Sequence, residues 1–314
     1  MNAPTLVVGA GGMLGRHVLR RLTTGAGEVI PARVPWNDPL LAAEALQAHL
    51  DHLIAAAGSG PWRVCWVAGA GVVGTTPDVL AVEIGCFASF VDRLSALRAP
   101  VAARGAMVLA SSAGGVYAGS TGAPFTEDTV PHPLAAYGHH KLHMEQIVVD
   151  LTRASGMTAM LARISNLYGP GQDLKKPQGL VSQIARASLT RQPISIYVPI
   201  DTMRDYLYVD DGAAMIAEAL ILLTSEELRG GCHLKILAAG RTTTVGALIR
   251  VIERIFKRRP PVIFAQSPNS RLQVRDLRLR SVRMVALDGL AGTALPAGVF
   301  ATTQAVARQL HVGA

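Results

Sequence analysis

Cysteine, aromatic residues and long apolar runs are all scarce in this chain of 314 residues. The three cysteines (Cys65, Cys86, Cys232) lie far apart and form no C-x-x-C pair. That spacing excludes a disulfide scaffold and fits a reducing compartment, so the cytoplasm is the expected location. No apolar stretch approaches the roughly 18 residues a membrane-spanning helix needs. The longest candidate, Val64 to Gly74, is interrupted by three glycines. Met1-Asn2-Ala3-Pro4 places no basic leader before the first apolar run, so no secretory signal is expected. Aromatics make up 5% of the chain, yet 50% of it is hydrophobic, which excludes an intrinsically disordered polymer and supplies a substantial aliphatic core.

Acidic residues are also in deficit, with 22 against 30 basic ones, a net charge of +8. The surplus is local. Between Arg241 and Arg283 eleven Lys/Arg face two acids, Glu253 and Asp276. Such a block can mark a nucleic-acid or membrane surface. No recognised nucleic-acid module accompanies it, and it reads as a solvated helix face with a site for phosphorylated ligands.

The first 165 residues alternate short apolar runs with helical patterns. Strands are expected at Thr5–Val8, Glu28–Arg33, Arg63–Ala68, Ala106–Ala110 and Thr158–Ile164. Helices are expected at Met13–Leu22, about 39–57, about 79–97 and about 135–154. This rhythm predicts parallel βαβ units, an α/β doubly wound parallel sheet of the Rossmann type. After Asn166 the rhythm breaks, and helices are expected near 179–190, 212–223 and 245–256. The chain therefore reads as a dinucleotide-binding domain (1–165) and a smaller substrate domain (166–314) partly interleaved with it.

Chemistry enters at the first strand's end. Glycines at 9, 12 and 15 give G-x-x-G-x-x-G directly before a helix. Glycine lets the backbone come within contact of a pyrophosphate, and the helix N-terminus offers unpaired N–H groups to it. Strand two should end at the adenosine ribose. The position there, eighteen residues beyond Gly15, is Arg33, with no acid before Asp38. An arginine accommodates the 2′-phosphate of NADP, so NADP(H) is favoured over NAD(H). Further on, Tyr137 and Lys141 lie four residues apart, on one face of a predicted helix. A phenol, with its pKa near 10, needs a nearby cation to serve as a proton carrier at neutral pH. Upstream, Ser111-Ser112 closes a strand at the sheet edge where doubly wound folds bind ligands. His139, His140 and His143 carry no evident third ligand nearby, and no metal is expected.

Glycine turn, strand-end serines and Tyr-Lys helix, in this order from Thr5 to Leu220, resemble the extended short-chain dehydrogenase/reductases of the NAD-dependent epimerase/dehydratase family. The resemblance implies that Tyr137, Lys141 and a Ser/Thr form the catalytic set. Many members place the serine where this chain has Ala113. Ser112, 25 residues before Tyr137, is the assigned hydroxyl, with Ser111 in reserve. The implied cofactor contacts are Gly9, Gly12, Met13, Leu14, Gly15, Arg33, Ala68 and Lys141. Two further segments, Arg163-x-x-Asn166-x-Tyr168-Gly169-Pro170 and Arg204-Asp205-Tyr206, are similar to the family's nucleotide-sugar signatures, the first placed after its sixth strand. They imply Asn166 and Arg204 as substrate contacts, the guanidinium fork meeting a diphosphate. Asp210 or Asp211 is expected to cap the following helix, and Tyr168 and Tyr208 to pack.

Three departures stand out. Glu83 takes the place of the family's usual Asn in the helix after its fourth strand. Val198–Thr202 replaces a glycine-rich approach to Arg204, and the final 60 residues match poorly. The activity implied is hydride transfer on a nucleotide-diphosphate sugar, first of all epimerisation, with NADPH-dependent 4-keto reduction as the alternative. Dehydration is disfavoured, because Ala113-Gly114-Gly115 holds no acid pair. A non-catalytic NAD(P)-sensing or RNA-associated protein is the alternative of another class. A homodimer is implied as well, with Met144, Ile147 and Val148 as the apolar stripe on its helix.

Overall fold

The computed structural model describes residues 3–25, 27–176, 178–266 and 274–312. Its elements begin β1 (Thr5–Val8), α1 (Met13–Thr23), β2 (Val29–Pro31), α2 (Pro39–Ala57), β3 (Trp62–Trp66) and α3 (Pro77–Ser95). A short α4 (Ala99–Ala102) leads to β4 (Gly105–Ser112), a single turn α5 (Ala113–Val116), α6 (Ala136–Ser155) and β5 (Thr158–Ile164). Beyond these come β6 (Asn166–Tyr168), α7 (Leu180–Thr190), β7 (Ile194–Ile196), β8 (Met203–Tyr208) and α8 (Val209–Leu222). The remainder is β9 (Gly231–Leu237), β10 (Thr242–Thr244), α9 (Val245–Phe256), β11 (Val262–Phe264), β12 (Asp276–Leu277) and α10 (Leu295–Val312).

Six strands form one parallel sheet in the order β2-β1-β3-β4-β5-β9. Strands β1, β3 and β5 are buried throughout, as expected where helices cover both faces of a parallel sheet. One face packs Leu46, Leu50, Phe87, Phe90, Met144 and Val148 from α2, α3 and α6. The other packs Leu14, Val18, Ala213, Ile216 and Leu220 from α1 and α8. Local chemistry fixes the helix ends. Asp38 accepts hydrogen bonds from the amides of Leu40 and Leu41, with Pro39 at the first position of α2. Gly156 closes α6 in the left-handed conformation at φ 70°.

The later residues divide between two bodies. β9 returns to the main sheet beside β5, and α8 covers that sheet. Separately, β8 pairs with β6, β10 and β12, while β7 pairs with β11. These small sheets pack with α7, α9 and α10 around Val181, Ile184, Leu248, Ile252 and Val299.

Several sequence expectations are corrected. β2 covers three residues rather than six and stops before Arg33. Met144 and Val148 are fully buried in the subunit core, so the apolar stripe of α6 is a core face rather than a dimer face. Neither Asp210 nor Asp211 caps α8. The cap residue is Tyr208, both acids lie in the first turn, Asp210 pairs with Arg21, and Asp211 accepts from Thr293. The Arg163 and Asn166 motif starts inside the fifth strand, and Glu83 stands on α3, after the third. Much of the basic block is spent inside the chain. Arg275 pairs with Asp201, Arg278 with Asp276 and Arg283 with Asp128, while Arg241 donates to the carbonyls of Ala291 and Thr293. Within the block, Arg271 lies outside the described residues.

Candidate active site

The site lies at the C-terminal edge of the sheet, where β1, β3 and β4 end side by side. Gly9 turns the chain out of β1 at φ 94°, a left-handed conformation that favours glycine. A β-carbon there would lie 2.4 Å from the Ala68 nitrogen, so the turn and the end of β3 touch backbone to backbone. Gly15 brings α1 equally close, since a β-carbon on it would sit 2.1 Å from the Gly9 carbonyl oxygen. Gly11 and Gly12 are exposed, and the space beside Gly11 is open. α1 starts at Gly12 with no side-chain cap, followed by Met13 and Leu14 and no acid in its first turn. An uncapped helix N-terminus above an open glycine turn suits an anion such as a pyrophosphate.

Arg33 sits just past β2, exposed. Its backbone N–H donates to His49 Nε2 at 3.1 Å, and its guanidinium has no partner among the described residues. Trp36, 43% exposed, stands close by, edge-on to Trp66 at the end of β3.

Tyr137 enters from the first turn of α6. Its ring is held between two glycines. A β-carbon on Gly71 would lie 3.3 Å from Cδ2, and one on Gly115 would lie 3.0 Å from Cε1. The Gly115 position is also 3.4 Å from Ser112 Oγ, so phenol ring and serine hydroxyl face the same small volume. Ser112 caps α5, accepting from the Gly115 N–H at 3.1 Å, and its own proton has no acceptor among the described residues. The Tyr137 hydroxyl has no hydrogen-bond partner there either. Ser111 points the other way: it is buried and donates to Glu145 Oε1 at 2.5 Å. Alternation along the strand thus leaves Ser112 as the hydroxyl on the open side.

Lys141 is 5% exposed, with Nζ 5.7 Å from the Tyr137 ring centroid. It donates to Glu83 Oε1 at 3.3 Å. Glu83 also accepts from His140 Nε2 at 3.0 Å, and from the amides of Ala70 and Gly71 at 3.0 and 3.3 Å. Burial alone would push this carboxyl up. The His140 hydrogen bond, the Lys141 charge and the Ala70 amide outweigh burial and bring its pKa down to about 2. His140 is thereby committed to a carboxylate, His139 is exposed, and no group of three metal-donor side chains forms among the described residues.

On the substrate side, Asn166 Nδ2 donates to the Asp205 carbonyl at 3.1 Å. Arg204 is 9% exposed, donates to the Met203 carbonyl at 2.8 Å and has no carboxylate bound to it among the described residues; burial pulls its pKa below the ordinary guanidinium value. A buried guanidinium that has the Asp276 charge nearby but no direct ion pair is costly, and a bound anion would relieve it. Asp205 fixes this region from beneath, accepting from Ser165 Oγ and from the amides of Ala239 and Arg241. Sequence reasoning missed three supports: the Asp205 anchor, the Glu83 network, and the Arg163–Glu145–Ser111 brace. The signal for the brace was present, since Glu145 follows Lys141 by one helical turn.

The chain's residues 88–227 match the model of the NAD dependent epimerase/dehydratase family. A UDP-glucose 4-epimerase of Azospirillum brasilense is 29% identical over 290 residues, covering 83% of this chain and 79% of that protein. A dTDP-4-dehydro-6-deoxyglucose reductase of Escherichia coli is 31% identical over 147 residues, 47% of this chain and 44% of that one. Among solved structures, the Thermus thermophilus UDP-glucose 4-epimerase in complex with NAD superposes with a TM-score of 0.76 at 20% identity, over 97% of this chain and 99% of that one. With the parallel six-stranded sheet, the glycine turn and the Tyr137–Lys141 helix in place, the chain is similar in sequence and in fold to the NAD-dependent epimerase/dehydratase family.

Proposed function

We propose that this protein is an NAD(P)-dependent epimerase acting at a carbinol of a nucleotide-linked sugar. The observation that carries the reading is the pair of unengaged hydroxyls, Tyr137 and Ser112, facing one volume with the Lys141 ammonium behind them. The open glycine turn and uncapped α1 fit a dinucleotide. Gly9, Gly12, Met13, Leu14 and Gly15 would hold its pyrophosphate, Arg33 its adenosine ribose, and Ala68 with Lys141 its nicotinamide half. When bound, such a group takes up and returns a hydride.

The rest is the work of this chain. Ser112 donates its free proton to the sugar oxygen and holds it beside Tyr137. Tyr137 takes the carbinol proton as the carbon loses hydride and gives it back on return, with Lys141 stabilising the anionic phenol. Arg204 draws in the diphosphate, and Asn166 lines the sugar side. The same geometry serves either direction at the carbon, which is what an epimerase needs. The UDP-glucose and dTDP-sugar activities in the relatives' names support a nucleotide-diphosphate sugar as substrate.

A one-way NADPH-dependent ketoreductase is the second reading. Unpaired Arg33 favours it, since a guanidinium beside the ribose suits a 2′-phosphate, and the partial match to a reductase supports it. We further read the protein as a cytoplasmic homodimer. Its three free thiols support the first statement. Exposed Val79 and Val82 on α3, rather than the α6 stripe, support the second. The test incubates the protein with a panel of UDP- and dTDP-sugars and either cofactor. Product without net cofactor turnover establishes the epimerase. Stoichiometric NADPH loss establishes the reductase, and no product with any sugar refutes both.

A further inference from the structure

Glu83 is a partly buried carboxylate with four donors and no place in the chemistry just described. His140 Nε2 and Lys141 Nζ, both from α6, share its Oε1, and the amides of Ala70 and Gly71 share its Oε2. These amides belong to the turn after β3. Gly71 in that turn packs on the Tyr137 ring, and Gly69 stands where a β-carbon would meet both Glu83 Oε1 at 3.2 Å and Lys141 Nζ at 3.3 Å. One side chain therefore ties together the lysine, the turn against the tyrosine, and α6.

Chemistry distinguishes this carboxylate from an amide of the same shape. A carboxylate accepts on both oxygens and can satisfy all four donors; an amide turns an NH₂ toward two of them. The carboxylate also carries a full negative charge beside the ammonium that is to stabilise the phenolate. At such distances in a partly buried site one charge acts strongly on a neighbour's ionisation. The titratable groups facing Glu83 are His140 and Lys141 from α6, and the turn contributes backbone only. Those facing Tyr137 are Lys141 on its own helix and the Ser112 hydroxyl from β4.

We infer that Glu83 is a positioning residue that holds Lys141 and the Gly69–Gly71 turn in one frame and offsets the lysine's charge, so that the pH at which Tyr137 exchanges its proton is set by the Lys141–Glu83 pair rather than by Lys141 alone. The inference rests on the reading of Tyr137 as the proton carrier.

Alkaline titration of tyrosinate absorbance tests it without substrate. The Tyr137 signal is isolated by subtracting the spectrum of a Tyr137→Phe counterpart in each background. Glu83→Gln should move the midpoint of that signal down by about one pH unit. Glu83→Asp, which keeps the charge, should leave it within about 0.3 unit. Glu83→Asn carries the same test if the Gln variant does not fold, folding being checked by thermal melting. In an active preparation the pH profile of kcat should move in the same direction as the absorbance midpoint. An unchanged midpoint in a folded amide variant overturns the inference, whatever the activity. A shifted midpoint in a protein that turns over no nucleotide sugar keeps the inference and sinks the proposed function instead.

Discussion

Two ion pairs, one fully and one partly buried, stand one helical turn apart on α6 and do opposite things. Glu145, 4% exposed, clasps Arg163 of β5 through three hydrogen bonds, the shortest 2.6 Å, and also accepts from Ser111. Arg163 gives its remaining arm to the Tyr117 hydroxyl at 2.7 Å. That pair is closed: its charged atoms answer one another behind the sheet. Lys141 meets Glu83 in a looser contact of 3.3 Å on the cleft side, beside a tyrosine whose hydroxyl has no partner among the described residues. The first arrangement has no capacity left for a ligand, whereas the second does. Burial of charge alone therefore does not mark a functional group; what marks it is charge next to unengaged hydrogen-bonding capacity.

The comparison breaks most readily on the open side. Tyr137→Phe should lower kcat by about 10²–10⁴, the range expected of general acid–base catalysis, with cofactor affinity little changed. Near-normal turnover would remove Tyr137 from the mechanism. On the closed side the same kind of deletion should be felt as stability. Arg163→Ala leaves Glu145 buried and uncompensated, and denaturant unfolding should show a loss of about 3–5 kcal/mol. A loss below about 1 kcal/mol would mean that water reaches the pair and that it is not closed.

Smaller and more specific is Arg33→Ala. A charge-assisted contact of about 1.5–3 kcal/mol should weaken NADP(H) by about 10- to 150-fold and leave NAD(H) nearly unchanged. Arg33→Asp should reverse the preference. Arg16, at the start of α1 beside Gly12, belongs in the same titration. Equal losses for both cofactors would show a structural effect instead. A more gradual effect is on acid stability. The Glu83 carboxyl is held down at about 2 in the folded chain, against 4.5 for an ordinary glutamate, so its stabilising contribution is full above 4.5 and is lost as the pH falls toward 2. In that window Glu83→Gln should flatten the decline, by at most about 1.4 kcal/mol per pH unit. A decline of identical slope in both proteins would place the acid sensitivity elsewhere.

Five of the six strands of the main sheet were legible in the sequence because they are apolar runs that alternate with long helices, whereas β9, which returns from the later residues, was not. Thr5–Val8 and Thr158–Ile164 stand where the apolar runs put them. The substrate side was not legible in that way, because its strands are two to six residues long and their pairings are non-local. β8 finds β6, β10 and β12 only through the tertiary fold. In the site, the pairing of Tyr137 with Lys141 on one helix face followed from spacing, and Ser112 was assigned over Ser111 by its separation from Tyr137; strand alternation supports that choice, since Glu145 takes the other serine. Sequence marked Glu83 as a departure bearing on the support of the active-site helix but could not name its partners, since its four donors come from segments 12 to 58 residues away. The α6 stripe misled for a physical reason: an apolar i, i+3, i+4 pattern looks the same whether it meets the subunit's own core or a partner.

The central claim is that this cleft moves a hydride off a sugar carbinol and returns it while Tyr137 handles the proton. A nucleotide sugar deuterated at the reacting carbinol carbon tests that claim most directly, with the product analysed by mass spectrometry and NMR. The account predicts inverted configuration with the deuterium retained at that carbon, and no such product from the Tyr137→Phe protein. Inversion with the label lost to solvent would contradict it, because the carbon would then have exchanged a proton rather than a hydride.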